Sequence, residues 1–359
     1  MIDVEELFWG RKKLVGLDIG SSSLKLVALK GTPKGYILNR FYQLPLPQGV
    51  IVDGALVDQE KLSAKIKELF KFSSCPIKNI VTSLSGHAVI SKKVSLTNMD
   101  EGELRELITE EATKYLPFDN MAEVYFDFQV LGANEYNSNL LEVLLVAAKK
   151  EIVDSYTGAI TGAGLTPVIV DVDSFALETM YEENYDFEET DVVILVNIGA
   201  SITNLNVLKN GASIFTRDFT LGGNAVTEAI RLRLGATFEE AEEIKLAGPE
   251  GNAKLRDAGV EDLLSFAEPV CQEIERSVDY FRSTFGGEDV KQVLLSGGGA
   301  LITGITDELT RRLGIDTEII NPFRNIAYEK KAIQEDDIGA VGPIAAVAVG
   351  LALRKIGDK

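Results

Sequence analysis

The stretch LDIGSSSLKLVALK, residues 17–30, is written a second time at 196–209 as VNIGASITNLNVLK. Aligned without a gap, Ile19, Gly20, Ser22, Leu26, Leu29 and Lys30 meet Ile198, Gly199, Ser201, Leu205, Leu208 and Lys209. Each copy reads as a strand, a tight turn of small residues and a returning strand. A chain of 359 residues is too long for one ordinary core, and a hairpin built twice points to two related lobes. The copies differ at one position of chemical weight, where Asp18 becomes Asn197.

In the first copy a strand delivers Asp18 and turns through Gly20, Ser21, Ser22 and Ser23. Small residues there leave backbone N–H groups and hydroxyls to meet an anion. Asp18 repels a phosphate but suits a hydrated magnesium that bridges to one, and Lys25 on the outgoing strand adds positive charge. A plain hairpin with a small-residue turn explains one copy equally well. Two copies on two lobes, the second with Gly199, Ala200 and Ser201, can grip a polyphosphate from opposite sides. Gly222 and Gly223 follow the second copy just before a helix, where their N–H groups offer further anion donors.

Two other stretches bear on a ligand. In LLSGGGALITG, Gly297, Gly298 and Gly299 follow a buried strand and let a flat ring lie on the backbone. A dinucleotide phosphate loop fits less well, because Ile302 takes the place of its last glycine; a mere tight turn stays open. In AEEIK, Glu242 and Lys245 share one helix face, as ribose-binding groups or as a surface ion pair.

Periodicity supplies the organisation. Residues 14–43 read as three antiparallel strands, 58–72 as a helix capped by Asp58, and 79–85 as a buried strand. From 88 to 163 the order strand, helix, strand, strand, helix describes a compact inserted unit, with TPVIVDVDS (166–174) returning to the first sheet. The acidic EENYDFEETD is a solvated connector, and the second half begins near 191. There Thr237 and Glu240 form a capping box, Gly248-Pro249 stops that helix, a longer helix starts at Pro269, and a last one spans about 340–355.

Composition narrows the function. A net charge of −19 disfavours nucleic acid and anionic lipid, with Arg11-Lys12-Lys13 the evident basic cluster. There is no Gly-Lys dipeptide and hence no Walker loop, and His87 alone builds neither a histidine metal site nor a triad, so it reads as a turn residue. Cys75 and Cys271 make no disulfide framework, the N-terminus is not a signal peptide, and GPIAAVAVGLAL is about half a membrane span, all expectations of a cytoplasmic protein. The short acidic VEELFWG, with Phe8 and Trp9, is a candidate for touching a membrane or partner.

The order of hairpin, insert, second hairpin, Ala-Glu-x-Ile-Lys helix, glycine turn and terminal helix resembles the actin and Hsp70 ATPase superfamily. The insert resembles that of its FtsA-like branch, and the opening RKKLVGLDIGSSSLKLV and whole-chain layout most resemble the PilM family of type IV pilus assembly. The resemblance implies an α/β, actin-like (ribonuclease H-like) two-domain fold with an inserted βαββα subdomain. Its expected parts are 1–87, 164–190 and 338–359 as the first core, 88–163 as the insert, and 191–337 as the second domain with a helical portion about 222–285. It implies ATP in the cleft with magnesium near Asp18, the two hairpins on the phosphates, Glu242 and Lys245 on the ribose, and Gly297 to Gly299 with Leu301 on the adenine. It implies as partner the N-terminal tail of the membrane protein PilN, received in a groove between the first domain and its insert and tethering the chain to the inner membrane. Where the superfamily carries a second aspartate this chain has Asn197, which weakens metal organisation and puts rapid hydrolysis in doubt. Asp171, Asp173 or Glu178 are candidates to compensate. An FtsA-like filament protein and a kinase or phosphatase of the superfamily are the competing expectations.

Overall fold

The computed structural model describes residues 13–118, 120–134, 137–251, 253, 255, 263–285, 288–329, 332–333 and 338–357. Phe8, Trp9, Arg11, Lys12 and most of the polar loop before the last helix lie outside the described residues. The first sheet has the order β10-β6-β1-β2-β3-β16. Its strands are β1 (Leu14–Ile19), β2 (Ser23–Thr32), β3 (Gly35–Pro45), β6 (Asn79–Leu84), β10 (Thr166–Val172) and β16 (Ala327–Tyr328). A small hairpin, β4 (Ile51–Val52) and β5 (Ala55–Leu56), leads into α1 (Gln59–Ser73), whose cap Asp58 accepts from the Lys61 amide. On the outer face, Leu62, Ile66 and Leu69 of α1 pack with Tyr156 and Ile160 of α3 (Lys150–Gly162) against Leu17, Leu24 and Leu26.

Between β6 and β10 the chain makes β7 (Val89–Thr97), α2 (Glu101–Tyr115), β8 (Val124–Ala133), β9 (Leu140–Lys149) and α3. The three strands form a separate sheet, β7-β9-β8, that buries Leu104, Ile108 and Ala112 of α2 in a core of its own.

The second large sheet, β13-β12-β11-β14-β15, joins β11 (Val192–Ile198), β12 (Thr203–Lys209), β13 (Ala212–Phe219), β14 (Val290–Ser296) and β15 (Thr317–Ile319). α5 (Gly223–Leu234), α6 (Phe238–Gly251), α7 (Leu264–Phe285) and α8 (Ile305–Leu313) accompany it. The capping box forms reciprocally: Thr237 N–H donates to Glu240 Oε2 at 2.9 Å and Glu240 N–H to Thr237 Oγ1 at 3.2 Å. Gly248 breaks α6 with φ 67° and ψ 175°. α7 begins at Leu264 rather than Pro269, which lies in its second turn.

Two helices join the lobes. α4 (Asp173–Asn184) and α9 (Ile338–Leu353) lie in one core with Val27, Leu38 and Val81 of the first sheet and Val193, Leu195 and Leu294 of the second. α9 is almost wholly apolar because sheets flank it, and no helix among the described residues is long and apolar enough to cross a membrane. The acidic connector is anchored more firmly than its composition implies. Its first three residues finish α4, Tyr185 stacks on Tyr181 at 5.2 Å, and Phe187 covers the same ring at 5.8 Å.

Candidate functional site

The two hairpins are the same object in space. In the first, Gly20 N–H donates to the Ser23 carbonyl at 3.2 Å; in the second, Gly199 N–H donates to the Ile202 carbonyl at 2.9 Å. The equivalence extends to the facing strands. Asp18 lies across from Lys25 in the β1–β2 register, and Asn197 across from Asn204 in β11–β12. Lys25 Nζ stands 3.0 Å from Asp18 Oδ2, whereas Asn197 Nδ2 donates to Asn204 Oδ1 at 3.0 Å. An ion pair in one copy is an amide pair in the other. Asn204 is buried, and its own Nδ2 has no hydrogen-bond partner among the described residues.

Of the three carboxylates named as candidates beside Asn197, Asp173 is the one that feels the Asp18 charge most directly. Asp171 is bound by Arg354 at 2.6 and 3.1 Å, and Glu178 is half-buried near Glu182 and Arg354. Asp173 follows the end of β10, accepts from Ser83 Oγ at 2.5 Å, and feels the charges of Asp18 and Asp218. Burial, then the Asp18 charge, push its carboxyl up to about 7 against the bonds from Ser83 and Ser85. Asp218 sits opposite Asn204 on β13 and accepts from the Gly86 N–H at 2.6 Å. Both hairpins therefore border one cluster, with Asp18 and Asp173 on the first sheet's side and Asp218 on the second's. No three carboxylate, cysteine or histidine side chains among the described residues are grouped closely enough to hold an ion by themselves.

Glu178 gives this interior a measurable pH dependence. Burial and the Glu182 charge raise its pKa from 4.5 to about 8, although Arg354 and the Ser213 N–H oppose them. A carboxyl whose native pKa lies above its unfolded value stabilises fully below the unfolded value and loses that contribution as pH rises through the native one. Stability should thus fall between about pH 5 and pH 8, and Glu178→Gln should flatten that fall by about 3–4 kcal/mol. Urea midpoints of both proteins at the two pH values measure it; parallel declines would refute the assignment.

The other expected residues collect around the second hairpin. Gly223 N–H donates to the Gly199 carbonyl at 2.9 Å and Asn224 N–H to the Ala200 carbonyl at 2.8 Å. The amide expected at Gly223 as an anion donor is thus already engaged: the helix start clasps the turn instead. At Gly222 a Cβ would strike the Gly199 and Ala200 carbonyls, which explains the glycine. Ser201 Oγ accepts from Asn224 Nδ2 at 3.0 Å. Glu242 and Lys245 pair at 2.7 Å, and Lys245 Nζ also donates to the Gly223 carbonyl at 3.2 Å and to Thr227 Oγ1 at 2.9 Å. The pair is fastened to the start of α5.

The glycine triplet divides its work. Gly297 holds φ 83° and faces the Ile198 carbonyl, while Gly299 packs on the Ile198 side chain. Only Gly298 looks into open space, with Leu301 partly exposed beyond it. Asn204, Asp218 and Ser83 were not read from the sequence. Carrying the hairpin alignment on to the residue facing Asp18 would have found Asn204; strand pairing alone brings in the others.

A family model described as type IV pilus assembly protein PilM matches residues 16–356. The chain belongs to this family. A solved PilM-PilN type IV pilus biogenesis complex is similar to it at 32% identity with a TM-score of 0.81, covering 96% of this chain and 98% of that one. The ethanolamine utilization protein EutJ of Carboxydothermus hydrogenoformans shares the fold, at 16% identity and a TM-score of 0.57 over 94% and 88% of the two chains. Among curated relatives, FtsA of Bacillus subtilis is 22% identical over 64% of this chain. FtsA of Pseudomonas aeruginosa is 24% identical over 95% of it and 88% of the relative. The chain spans 57% of the Bacillus protein's length. The expected actin-like, two-domain α/β fold is the fold of this PilM family member.

Proposed function

We propose that this PilM family member is a nucleotide-loaded scaffold of type IV pilus assembly, in which ATP fixes the closure of the lobes and closure shapes the seat of a partner's tail. The observation that carries the reading is the pair of matching turns bordering one carboxylate cluster. Gly20 to Ser23 with Lys25 would meet the phosphates from one lobe and Gly199 to Ser201 from the other. Glu242 and Lys245, already fixed at the start of α5, would meet the ribose, and the open face at Gly298 with Leu301 the adenine. Magnesium takes one or two carboxylates and completes its shell with water and phosphate oxygens, a demand that Asp18 meets without an all-protein cage. When bound it would neutralise phosphate charge. Asn197 supplies no second charge there, so binding outlasts turnover.

The partner reading rests on the likeness to a PilM-PilN complex and on a cavity of about 370 Å³ near the cluster. Gly86, Ile90, Ser91, Ser174, Thr216 and Asp218 are among its lining residues, drawn from the turn after β6, the insert's first strand, the start of α4 and β13 of the second sheet. Ser91 and Thr216 bridge it through their hydroxyls at 2.5 Å. A PilN-like N-terminal tail seated there would feel any lobe movement through Asp218 and Gly86. Titration calorimetry with ATP, and with a tail peptide in the presence and absence of ATP, tests both halves. ATP should bind and raise peptide affinity about tenfold. Equal peptide affinity in both states would remove the coupling, and absence of ATP binding would remove the nucleotide.

A further inference from the structure

The negative charge of the chain is unevenly held. Residues 13–98 carry twelve lysines and arginines against five carboxylates, a net +7, so the rest of the −19 chain holds −26. The fold gathers part of that positive charge at one end of the first sheet. Leu14 pairs with Asn79, Gly16 with Val27 and Lys30 with Ile37, so Lys13, Lys30, Lys34 and Lys78 project from the same end, all exposed. α1 runs to that end, where Arg40 Nη1 bonds the Ser73 carbonyl, and its outer face presents Lys67, Lys71 and Phe72, the last 59% exposed.

The five carboxylates of the segment do not cancel this face. Asp18 lies in the cluster, Asp53 in the β4–β5 turn, and Asp58 and Glu60 at the far end of α1, while Glu68 is paired with Lys65 at 2.9 Å. The face also lies opposite the end where β1, β6 and β10 deliver Asp18, Ser83 and Asp173, so it serves no ligand there.

We propose that this end of the first lobe docks on an anionic lipid surface. The exposed charges are lysines, compact point charges without the planar fork that reads single carboxylates or phosphates, and they come from several elements spread across one end. Such a layout suits a diffuse negative plane, and an exposed phenylalanine beside lysine is what an interface with lipid takes up. The acidic remainder is screened beyond about 8–10 Å at physiological salt, so it does not forbid the contact. The bulk charge argued against lipid because the linear sequence does not show where the lysines meet.

Flotation of the full chain with vesicles tests this. The protein should rise with phosphatidylcholine vesicles containing about one-third phosphatidylglycerol, not with phosphatidylcholine alone, and be released near 1 M salt, where screening shortens to about 3 Å. The triple variant Lys67→Gln, Lys71→Gln, Lys78→Gln should lose about tenfold or more of the binding, and Phe72→Ser a smaller part, with a cooperative melt retained and ATP affinity unchanged. Failure to bind the anionic vesicles, or binding that the triple variant retains, would overturn the proposal. So would salt-sensitive self-association, or duplex DNA binding, that the variant abolishes while no vesicle is bound; these would assign the face to a second copy or to nucleic acid.

Discussion

Gly350→Ala should cost the protein about 3 kcal/mol, although the same change in an exposed helix normally gains up to about 1 kcal/mol. Gly350 lies in α9 where that helix crosses α4, and a Cβ there would enter the backbone carbonyl of Ala176. The obstacle is main chain, so no rotamer change relieves it, and the helices must part. They are the joint between the two sheets, with Ala176, Leu177 and Met180 facing Ala345 to Leu353, so separation disturbs both lobes. At Gly339, in the first turn of α9, a Cβ would meet no atom within 4 Å, and the alanine variant should be neutral or stabilising. Urea denaturation of the two variants gives opposite signs from one helix and one chemical change. A Gly350→Ala protein as stable as the parent would mean that the crossing is looser than described.

Much of the architecture was legible because local signals agreed with one another. Asp58 and Asp100 precede apolar-periodic stretches and both accept from the first turns of their helices, and the Thr237–Glu240 box closes as its spacing implies. α4 escaped notice because it lies between two sheets and has no single apolar face, with Glu178 half-buried and Asn184 held by its own helix. The site was legible to the extent that it repeats. The twin turns announced themselves, but Asp218 enters only because β13 pairs with β12 and reaches Gly86, 132 residues away along the chain. The choice of Asp173 over Asp171 and Glu178 likewise rested on partners distant in sequence, Arg354 and Ser83. The lysine-bearing end of the first sheet is the same kind of object, assembled by register.

Exchanging the acid between the hairpins tests what the duplication is for. Asp18→Asn should abolish the magnesium dependence of ATP binding and weaken magnesium-ATP by at least about tenfold, a loss of about 1.4 kcal/mol or more. The carboxylate is the charged partner of Lys25 and, under the proposed reading, the metal's protein ligand. Its removal frees the Lys25 ammonium, so metal-free ATP should bind no worse than before. Asn197→Asp should act in the other direction. The new carboxylate would face Asn204, which can turn its unpartnered Nδ2–H toward it, so the fold has a donor ready. It adds a carboxylate two strands from Asp218, with Asn204 between them, so metal-free ATP should weaken while magnesium dependence grows. Calorimetric titrations with and without magnesium separate these outcomes, and thermal melts confirm folding. If Asp18→Asn left the magnesium dependence intact, the metal would belong elsewhere, and the ion pair with Lys25 would be the whole purpose of Asp18.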